Sequence, residues 1–154
     1  MNRILRALLL TLPLFNGALL TAAERIYLPA YKGVFPANES NHHGILPDGV
    51  TIHYYSNGAV TWTINAPAAG KYRLKVTASC SKADDGFAEF TVTVNGKDAG
   101  KPVPLKTTER ADYELEVTLP EGETKIAIAF TNDKCVPGEY DRNLFVHKAA
   151  LMAP

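Results

Sequence analysis

Between Phe130 and Leu151 the sequence FTNDKCVPGEYDRNLFVHKAAL places Asp133, Cys135, Glu139 and Asp141 in one short connection between strand-like runs. Carboxylates gathered this closely can chelate a hard cation, which draws its six to eight ligands from carboxylate and carbonyl oxygens. Asp133 and Asp141 stand at the two ends of the connection, where a strand on each side would hold them. The D-x-D-x-D-G spacing of an EF-hand is missing. The plain alternative is an Asx-type turn at Asn132-Asp133, with Asp141 paired to Arg142 or a nearby lysine. Spacing alone leaves both readings open, because like charges in a loop are usually just solvated.

The elements that must position these residues are strands. In AVTWTI, Val60, Trp62 and Ile64 point one way, and in KYRLKVTA Tyr72, Leu74, Val76 and Ala78 alternate with Lys71, Arg73 and Lys75. Period two of this kind makes a strand with one buried face. FTVTVNGK repeats it with Phe90, Val92 and Val94 and ends in Asn95-Gly96, a dipeptide that accepts positive φ in a two-residue hairpin turn. DYELEVTL buries Tyr113, Leu115, Val117 and Leu119; TKIAIAF buries Ile126, Ile128 and Phe130 after a turn at Pro120–Glu123; NLFVHKAAL closes the set. Turns at Ser56-Asn57-Gly58 and Pro67–Gly70 complete an even spacing of short strands. The expected fold is an all-β antiparallel β-sandwich of jelly-roll type. Residues 29–49 read as a long loop with one short strand.

Ahead of the strands, Arg3 and Arg6 lead into the apolar run ALLLTLPLFNGALL and then Thr21-Ala22-Ala23. This is the pattern of a secretory signal peptide, residues 1–23, cleaved after Ala23. The run is interrupted by Pro13, Asn16 and Gly17 and is shorter than the roughly 20 residues a spanning helix needs. The expectation is a secreted protein, extracellular or periplasmic, with no membrane attachment after cleavage. Residues 24–154 then form one domain, expected to act as a monomer.

Lys and Arg number 16 and Asp and Glu 16, and removing the leader's arginines leaves a slightly acidic chain. With no basic stripe to displace counterions from phosphates, nucleic acid is not an expected partner. Cys80 and Cys135 in an oxidising compartment are expected to form a disulfide, free buried thiols being the alternative. His42 and His43 are adjacent, point to opposite faces of an extended chain, and so do not share an ion.

The stretches SNGAVTWTINAPAAGKYRLKVTAS, VTVNGK and YELEVTLPEGETKIAIAFTND, followed by DRNLFV, resemble the calcium-dependent xylan-binding carbohydrate-binding modules of families 36 and 60, with wider similarity to families 6 and 35. The resemblance runs from Ser56 to Leu151. It implies a non-catalytic module that binds plant polysaccharide, xylan or a related β-glycan, through Ca²⁺. Part of the ion's shell is left for two neighbouring sugar hydroxyls. Asp133 and Asp141 match the family's acidic positions, and the backbone carbonyls of Cys135 and Tyr140 are further implied ligands. Tyr140, Asp133, Asp141 and Arg142 are the implied glycan contacts. Where such modules carry a glycine-rich turn with a glutamate, this chain has Ala83-Asp84-Asp85-Gly86-Phe87, so Asp85, one position away, is the candidate for that oxygen. A Cys80–Cys135 bridge would pin the two ligand loops together.

Two other functions compete. A small glycosidase or esterase would use Asp133, Glu139 or Asp141 as acid and base, yet the chain has neither a G-x-S-x-G elbow nor H-E-x-x-H, and these carboxylates share one loop. An adhesion domain would keep calcium for rigidity alone.

Overall fold

The computed structural model describes residues 25–37, 42–84 and 86–153. The leader, Asn38-Glu39-Ser40, a tripeptide of N-glycosylation type, and Asp85 lie outside the described residues. Among the described residues thirteen strands run β1 (Arg25–Tyr27), β2 (His43–Ile45), β3 (Ile52–Tyr54), β4 (Gly58–Ala66), β5 (Gly70–Cys80), β6 (Glu89–Val94), β7 (Lys97–Asp98), β8 (Val103–Pro104), β9 (Ala111–Leu119), β10 (Gly122–Phe130), β11 (Lys134–Val136), β12 (Tyr140–Arg142) and β13 (Leu144–Met152). A 3-10 turn at Ala30–Lys32 interrupts the long N-terminal connection.

One sheet has the order β2-β3-β13-β5-β9. Along the free edge of β13, β3 pairs with residues 144–146 and β1 with residues 150–152. The other sheet has the order β4-β10-β6-β7, with β8 also on β6. Each long pairing is antiparallel. This is the β-sandwich that the period-two pattern implies. The alternation is obeyed closely, with Val60, Trp62, Tyr72, Leu74, Val76, Ala78, Phe90, Val92, Ile126, Ile128 and Phe130 all buried. The Asn95-Gly96 turn forms with φ of 50° and 77°, which closes β6 onto β7.

Polar contacts tie the layers in register. The Tyr54 hydroxyl on β3 donates across the core to the carbonyl of Ile128 on β10 at 3.1 Å. Its burial pushes the phenol well above its ordinary pKa, so the group stays a donor. A neutral bond of this type contributes about 1 kcal/mol net, so its main effect is to fix one sheet over the other. On the opposite side, Trp62 Nε1 donates to the Pro29 carbonyl at 2.9 Å and anchors the N-terminal segment.

β13 breaks the alternation once. Val146 pairs with Ala78 and Lys148 with Thr77, which leaves His147 as an extra residue in the ladder. Its ring lies in a polar chain that joins β13, β5 and the turn before β3. Thr51 Oγ1 donates to Asp48 Oδ2 at 2.5 Å, so it accepts from His147 Nδ1 at 3.0 Å, and His147 Nε2 is left to accept from Ser79 Oγ at 2.8 Å. Asp48 also receives the amides of Val50 and Thr51, and these bonds lower its pKa to about 2.

Burial and then the charge of Arg110 hold His147 below its ordinary pKa. A histidine depressed in the folded state is neutral there and charged in the unfolded chain, so its contribution is full above about pH 6.5 and is lost as pH falls. His53 shifts the same way through burial and the neighbouring His43. The melting temperature should therefore fall between pH 7 and pH 5, with a shallower slope in His147→Gln and a residual slope from His53. An identical slope in wild type and variant would refute the role of His147.

Candidate functional site

After Phe130 enters the core, the chain leaves the sandwich as the β11–β12 hairpin, closed by Val136-Pro137-Gly138-Glu139. Gly138 has φ 82° and the Glu139 amide donates to the Val136 carbonyl at 3.0 Å, as a proline–glycine type II turn requires. This register sets Cys135 directly opposite Asp141. Side chains alternate, so Cys135 and Asp141 share one face while Lys134 and Arg142 occupy the other. Glu139 sits exposed in the closing turn.

Asp141 is held by a clamp the sequence did not announce. Ser81 Oγ donates to the Asp141 carbonyl and accepts from the Asn143 amide at 2.8 Å, and the Ser81 amide donates to the Asn143 carbonyl at 3.1 Å. The Asn143 side chain donates through Nδ2 to Asp141 Oδ2 at 3.0 Å. A carboxylate accepts only, so this bond fixes the amide orientation and turns Oδ1 the other way. Asn143 is 9% exposed and its Oδ1 has no hydrogen-bond partner. Asp133 is positioned from across the loop, its amide donating to Asn57 Oδ1 at 2.8 Å. Its Oδ1 is buried and likewise unpartnered.

Asp133, Asp141 and Asn143 line one open cavity of about 460 Å³, together with Cys135, His42, Ser56 and Tyr55. Burial, followed by the negative charge of Asp141, pushes the Asp133 carboxyl above its usual range. Two carboxylates facing one cavity, with a buried carboxylate oxygen and a buried amide oxygen both lacking donors, make a donor set suited to a hard cation. Among the described residues no group of three or more His, Cys, Asp and Glu is gathered to hold an ion, so a cation there would need the amide oxygen and backbone carbonyls beside the two aspartates. Asp85 lies outside the described residues.

The other expected site residues fall elsewhere. Tyr140 sits on the far face of the hairpin, its ring 5.7 Å from Lys134 Nζ. Arg142 is buried, and its Nη1 donates to the Asn132 carbonyl at 2.6 Å, so it braces the hairpin base. Asn132 braces the same base by accepting from the Glu89 amide and donating to the Phe87 carbonyl. Tyr55 is 40% exposed at the cavity, its ring centroid 4.3 Å from that of His53. His43 is buried, with Nε2 3.0 Å from the Ser56 carbonyl, while His42 is exposed, so the two rings do diverge.

The expected Cys80–Cys135 disulfide is not formed, and both residues are free thiols. The reason is direction. Cys80 ends β5 with its side chain buried, Sγ 3.5 Å from the Thr107 carbonyl. Cys135 is exposed on the hairpin face that carries Asp141. The tether between hairpin and β5–β6 loop is an ion pair, Lys134 Nζ to Asp84 Oδ1 at 2.8 Å. Both groups are well solvated, so it contributes about 0–1 kcal/mol.

A β-sandwich that carries a polar cavity between loops at one end has the form of a ligand-binding module on a rigid scaffold. The chain belongs to CBM60, a family described as a Ca-dependent, xylan-binding carbohydrate-binding module, whose model matches residues 73–152, over half of the sequence. It is thus a carbohydrate-binding module of the xylan-binding type. No curated protein matches it significantly. Among solved structures it is similar to the CBM36-1 domain of a multidomain xylanase from the hindgut metagenome of Trinervitermes trinervoides, at TM-score 0.64 and 15% identity over 83% of this chain and 96% of that one. A CBM36 module in complex with calcium and xylotriose superimposes at TM-score 0.63 and 16% identity, over 84% and 99%. A family 35 module from Clostridium thermocellum gives TM-score 0.56 and 16% identity, over 86% and 100%. These likenesses establish the fold.

Burial raises the pKa of Cys80, while desolvation and then the charge of Asp141 raise that of Cys135. Thiol titration without reductant should show one slow-reacting group in the native protein and a second after denaturation. Two unreactive cysteines under denaturing conditions would show a bridge and overturn the free-thiol assignment.

Proposed function

We propose that the chain is a secreted, non-catalytic module that retains xylan-like plant polysaccharide through calcium held at the hairpin cavity. Asp133 and Asp141 are the charged ligands, with Asn143 Oδ1 and the carbonyls near Cys135 and Tyr140 as neutral ones. When bound, the cation offers its unfilled positions to two adjacent sugar hydroxyls, as a Ca²⁺ with six to eight oxygen sites can. The chain's own residues do the rest. The Ser81–Asn143 clamp holds the Asp141 carboxylate, the Asn57 bond holds the Asp133 backbone, and Tyr55 offers an aromatic edge beside the cavity.

The single observation that carries this reading is the pair of buried, donorless oxygens, Asp133 Oδ1 and Asn143 Oδ1, on residues that line one cavity with a second carboxylate. Leaving such groups unpaired costs about 1–3 kcal/mol each, more when charged, and a cation removes that cost. The family assignment and the solved module with calcium and xylotriose support the choice of ion and ligand.

The test is affinity electrophoresis on xylan with millimolar calcium and after chelation. Wild type should be retarded only with calcium. Asp133→Ala and Asp141→Ala should each lower affinity at least 100-fold, and Asn143→Ala by about 10-fold, with unchanged melting in chelator. Calcium at 100 times its Kd should stabilise the wild type by about 2.7 kcal/mol and the aspartate variants by almost nothing. Retention that survives chelation, or is retained in both aspartate variants, would defeat the proposal. Release of reducing sugar would make the protein an enzyme instead.

A further inference from the structure

A second cleft lies on the solvent face of the β2-β3-β13-β5-β9 sheet, where β1, β13, β5 and β9 run side by side. Its volume is about 300 Å³, the low end for small-ligand sites and suited to one ring-sized group. Ala150, 6% exposed, forms an apolar floor. The walls are charged, and the charges do not cancel. Lys75 pairs with Asp112 at 2.7 Å and Arg73 with Glu114 at 3.8 Å. Arg25 and Lys148 line the same cleft, and among the described residues neither makes an ion pair. Two positive charges are therefore left over.

These two cations are organised around one side chain. Tyr27 is 52% exposed, with Arg25 Cζ 6.0 Å and Lys148 Nζ 5.5 Å from its ring centroid, and Arg25 Nη1 donating to its hydroxyl at 3.4 Å. Cation–π contacts at this range hold both head groups at the ring and restrict their freedom before any ligand arrives. The Tyr27 hydroxyl is held below its ordinary pKa, first by the Arg25 hydrogen bond and then by the Arg25 charge, which marks the positive potential there.

We infer that this cleft binds the carboxylate of a hexuronate residue, as carried by acidic plant polysaccharides, independently of calcium. The inference rests on the polysaccharide-binding reading above and adds a second ligand class at a different place. A neutral sugar gives Arg25 and Lys148 nothing to neutralise. A uronate supplies one planar carboxylate, which the Arg25 guanidinium receives through two parallel N–H···O bonds with Lys148 as a point charge beside it, while its ring lies on Ala150. Polyphosphates fit poorly, because their affinity is built from many phosphate contacts and the rim carries Asp112 and Glu114.

The test is calorimetry with a galacturonate trimer and its carboxyl-reduced counterpart, on protein freed of divalent ions with a chelating resin, at about 50 mM salt. The acidic trimer should bind at least 10-fold more tightly than the reduced one and weaken as salt rises. Arg25→Gln and Lys148→Gln should each lose about 10-fold or more for the acidic trimer, while retention on neutral xylan in calcium stays at the wild-type level. Equal binding of the reduced trimer, unchanged binding in both variants, or equally tight binding of inorganic polyphosphate would overturn the inference. Loss of xylan retention under chelation reports on the hairpin cavity alone, so the two readings fail separately.

Discussion

The arrangement on which the functional reading depends is electrostatic, two carboxylates brought to one cavity, one of them with a buried oxygen that accepts no hydrogen bond among the described residues. Asp133 Oδ1 has no donor, and Asp141 on the facing strand adds like charge rather than relief. A chain free to relax would swing one carboxylate into water. Here each is prevented by its backbone. Asp141 is fixed at its carbonyl by Ser81 and at its side chain by Asn143, and Asp133 is fixed at its amide by Asn57. Of the cations adjacent in sequence, Lys134 is drawn to Asp84 and Arg142 has a guanidinium nitrogen committed to the Asn132 carbonyl at the hairpin base. The site is preorganised at a cost in stability, which is the ordinary exchange at functional sites.

The sandwich makes that cost bearable. The hairpin is a small satellite of three-residue strands pairing with each other, but its roots are Phe130, 1% exposed, and Leu144, fully buried, on long strands of opposite sheets. The Tyr54 bond to the Ile128 carbonyl spans the two sheets between strands that border those roots. The distance between the two ends of the hairpin is thereby set by core packing, not by the loop, and close-packed interiors transmit such constraints well.

The strands were legible because alternation is a direct imprint of burial on one face, and the Asn95-Gly96 turn because its backbone needs positive φ. Asp133 and Asp141 were legible as charges confined between strands. Asn143 was not, since it reads as the first residue of an apolar strand run; its weak strand propensity beside Asp141 was the available signal. Arg142 and Tyr140 look like ligand contacts by proximity in sequence, and hairpin alternation sends both to the other face. The disulfide failed for a related reason. Compartment and loop position say that two thiols are permitted to pair, whereas pairing depends on where each Cβ points, and that is set by register.

Register also explains how one strand serves both ends of the molecule. β13 begins with Asn143 at its threshold, beside the hairpin cavity, and carries Lys148 to the cleft on the outer face. Strict alternation from Leu144 and Val146 would put position 148 in the core, where an ammonium group costs far more than a fold can absorb. The extra residue at His147 shifts the phase, so Ala149 and Leu151 take the buried positions and Lys148 turns outward. The bulge needs its own support, because an unpaired residue in the ladder weakens it locally. His147 provides that support by bonding to Ser79 on β5 and, through Thr51, to the start of β3. His147 is thus the pivot that keeps the strand's two halves in opposite phase and turns Lys148 to the outer face.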